Sequence, residues 1–301
     1  MPTEPVDVTV VLPVYNEAGH VDKEVARIRD SLDASPYSYE LLIVDDGSTD
    51  DSAVRLARLA ATEPSVRLVR LPVNRGAGTA RRIGTREARG DVVVWTDADM
   101  TYPNDQIPWL VEQLDGYDQV VGARTTEQGT VKALRVPAKW FVRTLASYLA
   151  GVRIPDLNSG FRAFHRRTSL PYLRLLPAGF SCVTTLTLAF LTNNQTVRYV
   201  PIEYRPRQGK SKFHWRRDTT KYLLQVVRMI MTFNPLRIFM PVGLTVLAGA
   251  VGKGIYDLIV HDLRITANTI ILSFVAAQLI AIGLLADLVV RLTAPREVDD
   301  H

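Results

Sequence analysis

Asp91-Val92-Val93-Val94-Trp95-Thr96-Asp97-Ala98-Asp99 is the stretch that decides the fold. Its apolar run is continuous rather than alternating, the pattern of a strand buried on both faces of a parallel sheet. Two carboxylates then follow, one residue apart, where the strand ends. That placement puts several hard oxygens in a crevice, a donor set suited to a divalent cation bridging a diphosphate. Two solvated loop acids would give the same short pattern. The weight therefore comes from the other strand ends.

Outward from this strand, residues 8 to 125 alternate strand and helix patterns. Strands are expected at Val8–Val14, Glu40–Val44, Val66–Leu71, Asp91–Thr96 and Gln119–Ala123, and helices near 17–33, 51–62, 78–89 and 104–115. The βαβα order implies an α/β fold: a parallel sheet, helices on both faces and right-handed crossovers. Ligands of such sheets bind outside the carboxyl ends of the strands. Those ends read Leu12-Pro13-Val14-Tyr15-Asn16-Glu17, Val44-Asp45-Asp46-Gly47-Ser48-Thr49-Asp50, Asn74-Arg75-Gly76-Ala77-Gly78 and Gly122-Ala123-Arg124. Separately, Asp50 fits a helix N-cap, Gly47 a turn, and Gly76 with Gly78 an ordinary loop. Together they supply acids for a base or ribose, close backbone approach for phosphates, a metal site and a strand-end arginine. That inventory suits a nucleoside diphosphate.

The chain has 301 residues, 47% hydrophobic, with a net charge of +5. The basic excess crowds into Arg205, Arg207, Lys210, Lys212, Arg216, Arg217, Lys221, Arg228 and Arg237, just before the most apolar third. A run in that position reads as a patch facing anionic lipid. Nucleic acid is excluded as a partner, because no helix-turn-helix, zinc-finger or RNA-recognition pattern accompanies the charge. The single cysteine, Cys182, excludes an intramolecular disulfide and reads as a small core residue.

Leu236 to Val260 and Thr269 to Val290 would be helices about 37 and 33 Å long, enough to cross a hydrocarbon core of roughly 30 Å. The connecting segment is short, and the basic cluster lies on the other side with Arg291 and Arg296. The positive-inside rule then puts both termini in the cytoplasm and makes a multi-pass hairpin of the cell membrane. The first residues carry no secretory signal. Lys253 and Asp257, four apart, are expected to pair on one helix face or snorkel, and Asp287 to sit at the interface. Trp140, Phe141, Leu145, Tyr148 and Leu149 recur at helical spacing beside Lys139 and Arg143, which reads as an amphipathic interfacial helix or as core packing. A second such helix is expected from Arg217 to Thr232.

Pro13-Val14-Tyr15-Asn16-Glu17, Asp45-Asp46-Gly47-Ser48-Thr49-Asp50, Asn74-Arg75-Gly76 and Asp97-Ala98-Asp99 together resemble the family 2 glycosyltransferases of GT-A fold. Asp156-Leu157-Asn158-Ser159-Gly160-Phe161-Arg162 and Arg207-Gln208-Gly209-Lys210-Ser211-Lys212-Phe213 are similar to the polyprenyl-phosphate subgroup, which includes dolichyl-phosphate mannose synthase and undecaprenyl-phosphate glucosyltransferases. The resemblance covers about residues 8 to 215 and implies a Rossmann-like, mostly parallel GT-A domain, then interfacial helices and a two-helix transmembrane hairpin. Its implied boundaries are 1–215 for the cytoplasmic GT-A domain (interfacial helix about 136–151), 216–234 for a juxtamembrane helix, 235–291 for the spans and 292–301 for a cytoplasmic tail.

The resemblance implies inverting transfer of a sugar from a UDP- or GDP-sugar to a polyprenyl phosphate, with Mg2+ or Mn2+. Pro13, Tyr15, Glu17 and Asp46, or Asp45 beside it, are implied to line the nucleoside pocket, with Gly76 and Asp97 contributing to the nucleotide site. Asp97 and Asp99 are implied to hold the metal. Arg124, Arg135, Arg162, Arg207 and Lys212 are implied to meet phosphate. Asp156 corresponds to a residue that acts as base or orients the acceptor. Since a phosphate monoester is already largely anionic at neutral pH, the orienting role is the expected one. The implied partners are the nucleotide-sugar, the polyprenyl phosphate, the membrane and, as an option, a second copy in a homo-oligomer.

Two positions depart from the pattern. Thr101 stands where relatives often carry Gln, and Ser181-Cys182-Val183-Thr184-Thr185 stands where many carry an acid. Three other readings lack their marks in this sequence. A processive synthase would carry Gln-x-x-Arg-Trp, and Gln225-Val226-Val227-Arg228-Met229 lacks the Trp. A non-catalytic membrane-tethered binding protein would have lost Asp97 or Asp99. A nucleotidyltransferase would need a basic glycine-rich loop in place of Leu12–Glu17.

Overall fold

The structure, a computed structural model, describes residues 6–125, 143–179, 181–205, 228, 231–260 and 264–293. Its strands are β1 (Val8–Val14), β2 (Tyr39–Asp45), β3 (Val66–Arg70), β4 (Val92–Trp95), β5 (Gln119–Arg124), β6 (Arg162–His165) and β7 (Val197–Ile202). They form one sheet in the order β3-β2-β1-β4-β6-β5-β7. The five strands expected from sequence are present to within a residue at each end, and β6 and β7 are additional. β6 runs antiparallel to both β4 and β5, while β7 is parallel to β5. The sheet is mostly parallel, as expected, with β6 as the antiparallel strand among the described residues. After β5 the chain leaves at the carboxyl edge and re-enters from that edge between β4 and β5, which forces β6 to run backwards.

Helices α1 (Val21–Asp33), α2 (Ser52–Thr62), α3 (Ala77–Glu87) and α4 (Ile107–Glu112) fill the crossovers. On α1, Val21, Val25, Ile28 and Leu32 recur at helical spacing and are buried in one core with Val10, Leu12, Leu41 and Ile43 of the sheet and Ile107 and Leu110 of α4. Alternation along β1 turns Val11 to the other face, where α3 lies so close that a Cβ on Gly84 would come within 2.4 Å of its Cγ1. Helix α5 (Cys182–Thr192) is buried from Cys182 through Phe190, and Cys182 is a small core residue as expected.

Helices α6 (Leu236–Val260) and α7 (Ala267–Thr293) are the two, among the described residues, long and apolar enough to cross a membrane. Small residues bring them together: a Cβ on Gly243 would stand 2.7 Å from Ile280, and one on Gly283 would stand 2.7 Å from Phe239. The expected Lys253–Asp257 pair forms at 2.9 Å. Asp257 also accepts from the Thr266 amide (3.0 Å) and from the hydroxyls of Thr266 (2.6 Å) and Thr269 (2.5 Å), which ties the start of α7 to α6. Asp287 pairs with Arg291 at 2.7 Å.

The chain divides into two compact units, Met1–Ser147 with Val152–Phe213, and Tyr148–Gly151 with His214–His301. Of the expected interfacial segment, residues 143–150 are helical, with Leu149 buried and Tyr148 exposed. Lys139, Trp140 and Phe141 lie outside the described residues, as does most of Arg217 to Thr232.

Candidate active site

The parallel strands deliver their carboxyl ends to one edge of the sheet, and β6 starts from that edge. Strand order reverses between β1 and β4, the point at which open α/β sheets bind ligands. β1 outruns its neighbour there. Its last partner on β4 is Val11↔Trp95, whereas pairing with β2 continues to Val14↔Asp45. Pro13, which has no N–H to donate, thus stands where only β2 flanks the strand. The gap opens the crevice between Tyr15-Asn16-Glu17 and Asp97-Ala98-Asp99.

Two non-glycine residues on this rim have left-handed backbone, Asn16 (φ 56) and Met100 (φ 60), a strain that side-chain bonding holds in place at Asn16. The Asn16 Oδ1 accepts from the Thr49 amide (2.8 Å), and Glu17 N donates to Ser52 Oγ (2.9 Å), lacing the loop after β1 to the loop after β2. Asp50 holds Ser52 N at 2.9 Å and Ala18 N at 3.3 Å, so it belongs to the same lacing. Tyr15 is exposed and Glu17 half-buried on this rim.

Asp45 and Asp46, expected at the nucleoside pocket, stand at the end of β2 and the start of the loop after it. Both are buried. Asp46 accepts from the Arg75 amide at 2.7 Å and the Gly76 amide at 2.8 Å, one on each carboxylate oxygen. Asp45 accepts from Ser48 N at 2.9 Å and lies 3.3 Å from the Arg70 guanidinium. These bonds tie the loops after β2 and β3 together. The glycine loop is likewise engaged: the Ala178 carbonyl accepts from Gly78 N at 2.7 Å and Thr79 N at 3.3 Å. Gly76 N, expected at the nucleotide, faces Asp46, and these loop amides are occupied by protein acceptors.

The glycines are there for segment 177–179. A Cβ on Gly78 would lie 2.1 Å from the Pro177 carbonyl oxygen and 2.7 Å from that of Gly179. Gly78→Ala is therefore expected to cost about 1–3 kcal/mol by overpacking against backbone. Urea unfolding of the full chain checks this, and a change under about 0.5 kcal/mol would contradict the contact.

Asp97 and Asp99 are half-buried at the crevice. Asp97 Oδ1 pairs with Arg81 Nη2 at 2.5 Å. Asp99 Oδ1 accepts the Thr101 hydroxyl at 2.6 Å, which fixes the orientation of that carboxylate. Behind them stands a buried relay that sequence reasoning missed. Tyr102 Oη accepts from the Gly160 amide at 2.8 Å, and Thr96 donates to Asn104, which donates to Glu24. A Cβ on Gly160 would lie 3.0 Å from Asp97 Oδ2 and 2.8 Å from Arg81 Nη2, so only glycine lets the Ser159-Gly160-Phe161 segment close on the pair. Burial raises the Glu24 carboxyl above its ordinary value of 4.5, against the Asn104 bond and the Arg27 charge. The folded chain thus holds this proton to higher pH than the unfolded one, and stability falls as pH rises above 4.5. Glu24→Gln is expected to be more stable than the parent at neutral pH, with the gap closing in acid. Urea melts at both pH values test it, and an equal difference at each would refute it.

Asp156 and Arg124 form one unit. Arg124 Nε and Nη2 reach the two carboxylate oxygens at 2.7 and 2.9 Å, the Asn158 amide adds a third bond at 3.0 Å, and the guanidinium lies 5.2 Å from the Tyr204 ring centroid. Burial would raise the Asp156 pKa, but the Arg124 bonds and charge outweigh it and hold the carboxyl below the ordinary range. Arg124 sits at the end of β5, on the binding edge.

Arg162, expected at phosphate, lies inside the sheet packing. It lies opposite Trp95 in the β4–β6 pairing, fully buried, donating to the carbonyls of Val183 (2.9 Å) and Ser159 and to the Thr187 hydroxyl (3.0 Å). It is a core cation. Arg135, Arg207 and Lys212 lie outside the described residues.

The donor set fits a divalent cation of the Mg2+ or Mn2+ kind, in a particular way. It offers carboxylate oxygens and no His or Cys ligand, and among the described residues no group of three His, Cys, Asp or Glu could cage an ion. Two carboxylates with the remaining positions left to substrate phosphate is how Mg2+ is commonly held.

The family profile of glycosyl transferase family 2 matches residues 9–169, and that of the GtrB C-terminal hairpin matches residues 234–292. The sheet and its site thus define a glycosyltransferase. The chain belongs to glycosyl transferase family 2, and its C-terminal hairpin is of the GtrB kind. It is 30% identical over 302 residues to an undecaprenyl-phosphate 4-deoxy-4-formamido-L-arabinose transferase of Pseudomonas fluorescens, covering 93% of this chain and 83% of the relative. The enzyme of that name from Shewanella sediminis is 28% identical, over 95% of this chain and 87% of the relative. Glucosyl-3-phosphoglycerate synthase from Mycobacterium tuberculosis, solved with Mn2+, UDP and phosphoglyceric acid, shares the fold at TM-score 0.58 and 23% identity, over 75% of this chain and 78% of that one.

Proposed function

We propose that this chain transfers a sugar from a UDP- or GDP-sugar to a polyprenyl phosphate at the cytoplasmic face of the cell membrane, with inversion at the anomeric carbon. The observation that carries the reading is the carboxylate pair at the switch point of a family 2 glycosyltransferase sheet, in a chain that ends in an apolar hairpin. In the domain reading, residues 1–215 form the GT-A domain, 216–234 a juxtamembrane helix and 235–291 the spans. Both ends lie on the cytoplasmic side, where Arg291 and the basic run would meet anionic lipid.

Pro13, Tyr15 and Glu17 line the nucleoside side of the crevice, and Asp97 and Asp99 hold a divalent cation at the donor diphosphate. When bound, that cation supplies positive charge against the charge that builds on the leaving diphosphate. An acceptor phosphate oxygen attacks the anomeric carbon opposite the diphosphate, forming the new C–O bond as the old one breaks. That oxygen is already anionic at neutral pH, so no residue has to remove a proton. Arg124, held by Asp156, presents fixed positive charge to the phosphates, with Arg135, Arg207 and Lys212 assigned to the same task. In this reading Asp156 is a positioning residue.

The test offers labelled UDP- and GDP-sugars with one polyprenyl phosphate and Mg2+ or Mn2+ to the full chain. Thin-layer analysis is expected to show one sugar per lipid, dependent on the metal. A ladder of longer products would indicate a processive enzyme, and absence of labelled lipid with every donor would sink the proposal.

A further inference from the structure

Helix α1 turns a polar stripe toward the loop that carries the two carboxylates. Glu24, Arg27 and Ser31 recur on it at helical spacing, and each bonds within Tyr102–Asp105. Arg27 donates to the Tyr102 carbonyl at 3.0 Å and pairs with Asp105, while Ser31 donates to the Asn104 carbonyl at 3.3 Å. Asn104 gathers the innermost bonds. Its Oδ1 accepts from the Thr96 hydroxyl, and its Nδ2 donates to Glu24 and reaches the Asp97 carbonyl at 3.4 Å. Thr96, Asn104 and Glu24 are all fully buried. One side-chain amide thus ties the start of the Asp97–Thr101 turn to helix α1. Inside that turn stands Met100, whose φ of 60 is a left-handed backbone that a side chain with a Cβ resists. A backbone bond from Met100 reaches the same Glu24 carboxylate. Burying that carboxylate is unfavourable, and an apolar side chain would fill the space without the desolvation. A group kept against stability, with its bonds aimed at a strained turn, has the marks of a functional position.

We infer that Glu24, acting through Asn104, is a positioning residue for sugar transfer: the pair holds the Asp97–Thr101 turn in its left-handed form and so fixes where the two carboxylates stand in the crevice. The inference rests on the proposed function in one respect, that these carboxylates meet the donor. Neither Glu24 nor Asn104 touches substrate in this account. Their effect passes through the backbone of the turn, where a displacement of about 1 Å is enough to slow a reaction a hundredfold. A pair that only filled space between α1 and β4 would lose stability when cut. It would gain nothing in transfer from a glycine at position 100, whereas a pair that restrains a strained turn becomes partly dispensable once the strain is gone.

Hydrogen exchange followed by mass spectrometry, on the full chain in detergent micelles, reads the turn without any ligand. The labelled UDP- and GDP-sugar panel reads transfer. Asn104→Ala is expected to speed exchange over residues 97–102 by at least about tenfold while leaving β1 as in the parent. It is expected to lower kcat by about ten- to a hundredfold. Adding Met100→Gly, which takes the left-handed backbone without strain, is expected to return about tenfold of that kcat. Glu24→Gln keeps an acceptor for Asn104 and should lose less than Glu24→Leu, which fills the space and accepts nothing. If Asn104→Ala stays within about threefold of the parental kcat, or Met100→Gly returns none of the loss, the inference fails and the proposed function stands. If the parent transfers no sugar from any donor, the proposed function fails, and unaltered exchange in Asn104→Ala would overturn the held turn as well. Should neither Asn104→Ala nor Glu24→Leu fold, the parent decides: slow exchange over residues 97–102 supports the held turn, and exchange at the rate of an unstructured peptide overturns it.

Discussion

Asp99→Asn is expected to lower sugar transfer by about a thousandfold, the scale of losing a key electrostatic group at a reacting centre, while leaving folding stability within about 0.5 kcal/mol. The geometry separates the two effects. Asp99 Oδ1 accepts the Thr101 hydroxyl at 2.6 Å, and an asparagine oxygen can accept the same bond, so the turn persists. What disappears is the negative charge. Asp97 gives no such clean test, because it partners Arg81, a side chain only 1% exposed. Asp97→Asn leaves that cation without its carboxylate, and breaking a buried pair costs about 3–5 kcal/mol. Transfer by Asp99→Asn at more than about a tenth of the parental rate would mean that the diphosphate sits elsewhere.

Asp156→Ala is expected to destabilise the chain by about 3–5 kcal/mol, since Arg124 would be left buried without its anion. The two side chains are 10% and 16% exposed, and both carboxylate oxygens are in use. Asp156→Asn keeps one acceptor for Arg124 and is expected to retain measurable transfer with a flat profile around neutral pH. A carboxyl held below the ordinary range is a poor base, so a pH-dependent collapse relieved in alkali would argue for proton removal by Asp156 instead. The sign of the stability effect follows from the lowered pKa. The Asp156 contribution is complete above the ordinary value of 3.8 and fades as pH falls through the folded value. Parent and Asp156→Asn should therefore differ most at neutral pH and converge in strong acid, which urea melts across that range measure.

The sequence revealed those parts of the site that are set by position along a strand. Asp97 and Asp99 follow the apolar run that becomes β4, and Tyr15 and Glu17 follow β1, so strand ends alone bring them to one edge. Partners fixed only by tertiary packing were not legible. Arg81 belongs to a helix that also carries Arg82 and Arg86, and nothing in that pattern marks one arginine as buried against Asp97. The bonds from Asp46 to the amides of Arg75 and Gly76 were not legible, because those amides lie about thirty residues on in the chain. Arg162 opens β6, a strand of four residues between charged ends, too short for alternation to register. Once β6 is seen to enter between β4 and β5, its first residue has nowhere to go but against Trp95.

The polar knot that joins Asp257 to Thr266 and Thr269 bears on how the hairpin is made. A nascent chain that has reached Val260 and no further has made the Lys253–Asp257 pair but not the hydroxyl and amide partners that Thr266 and Thr269 give the carboxylate. The second helix thus completes the carboxylate's hydrogen bonding, so the polar contacts of the hairpin depend on both helices being present together.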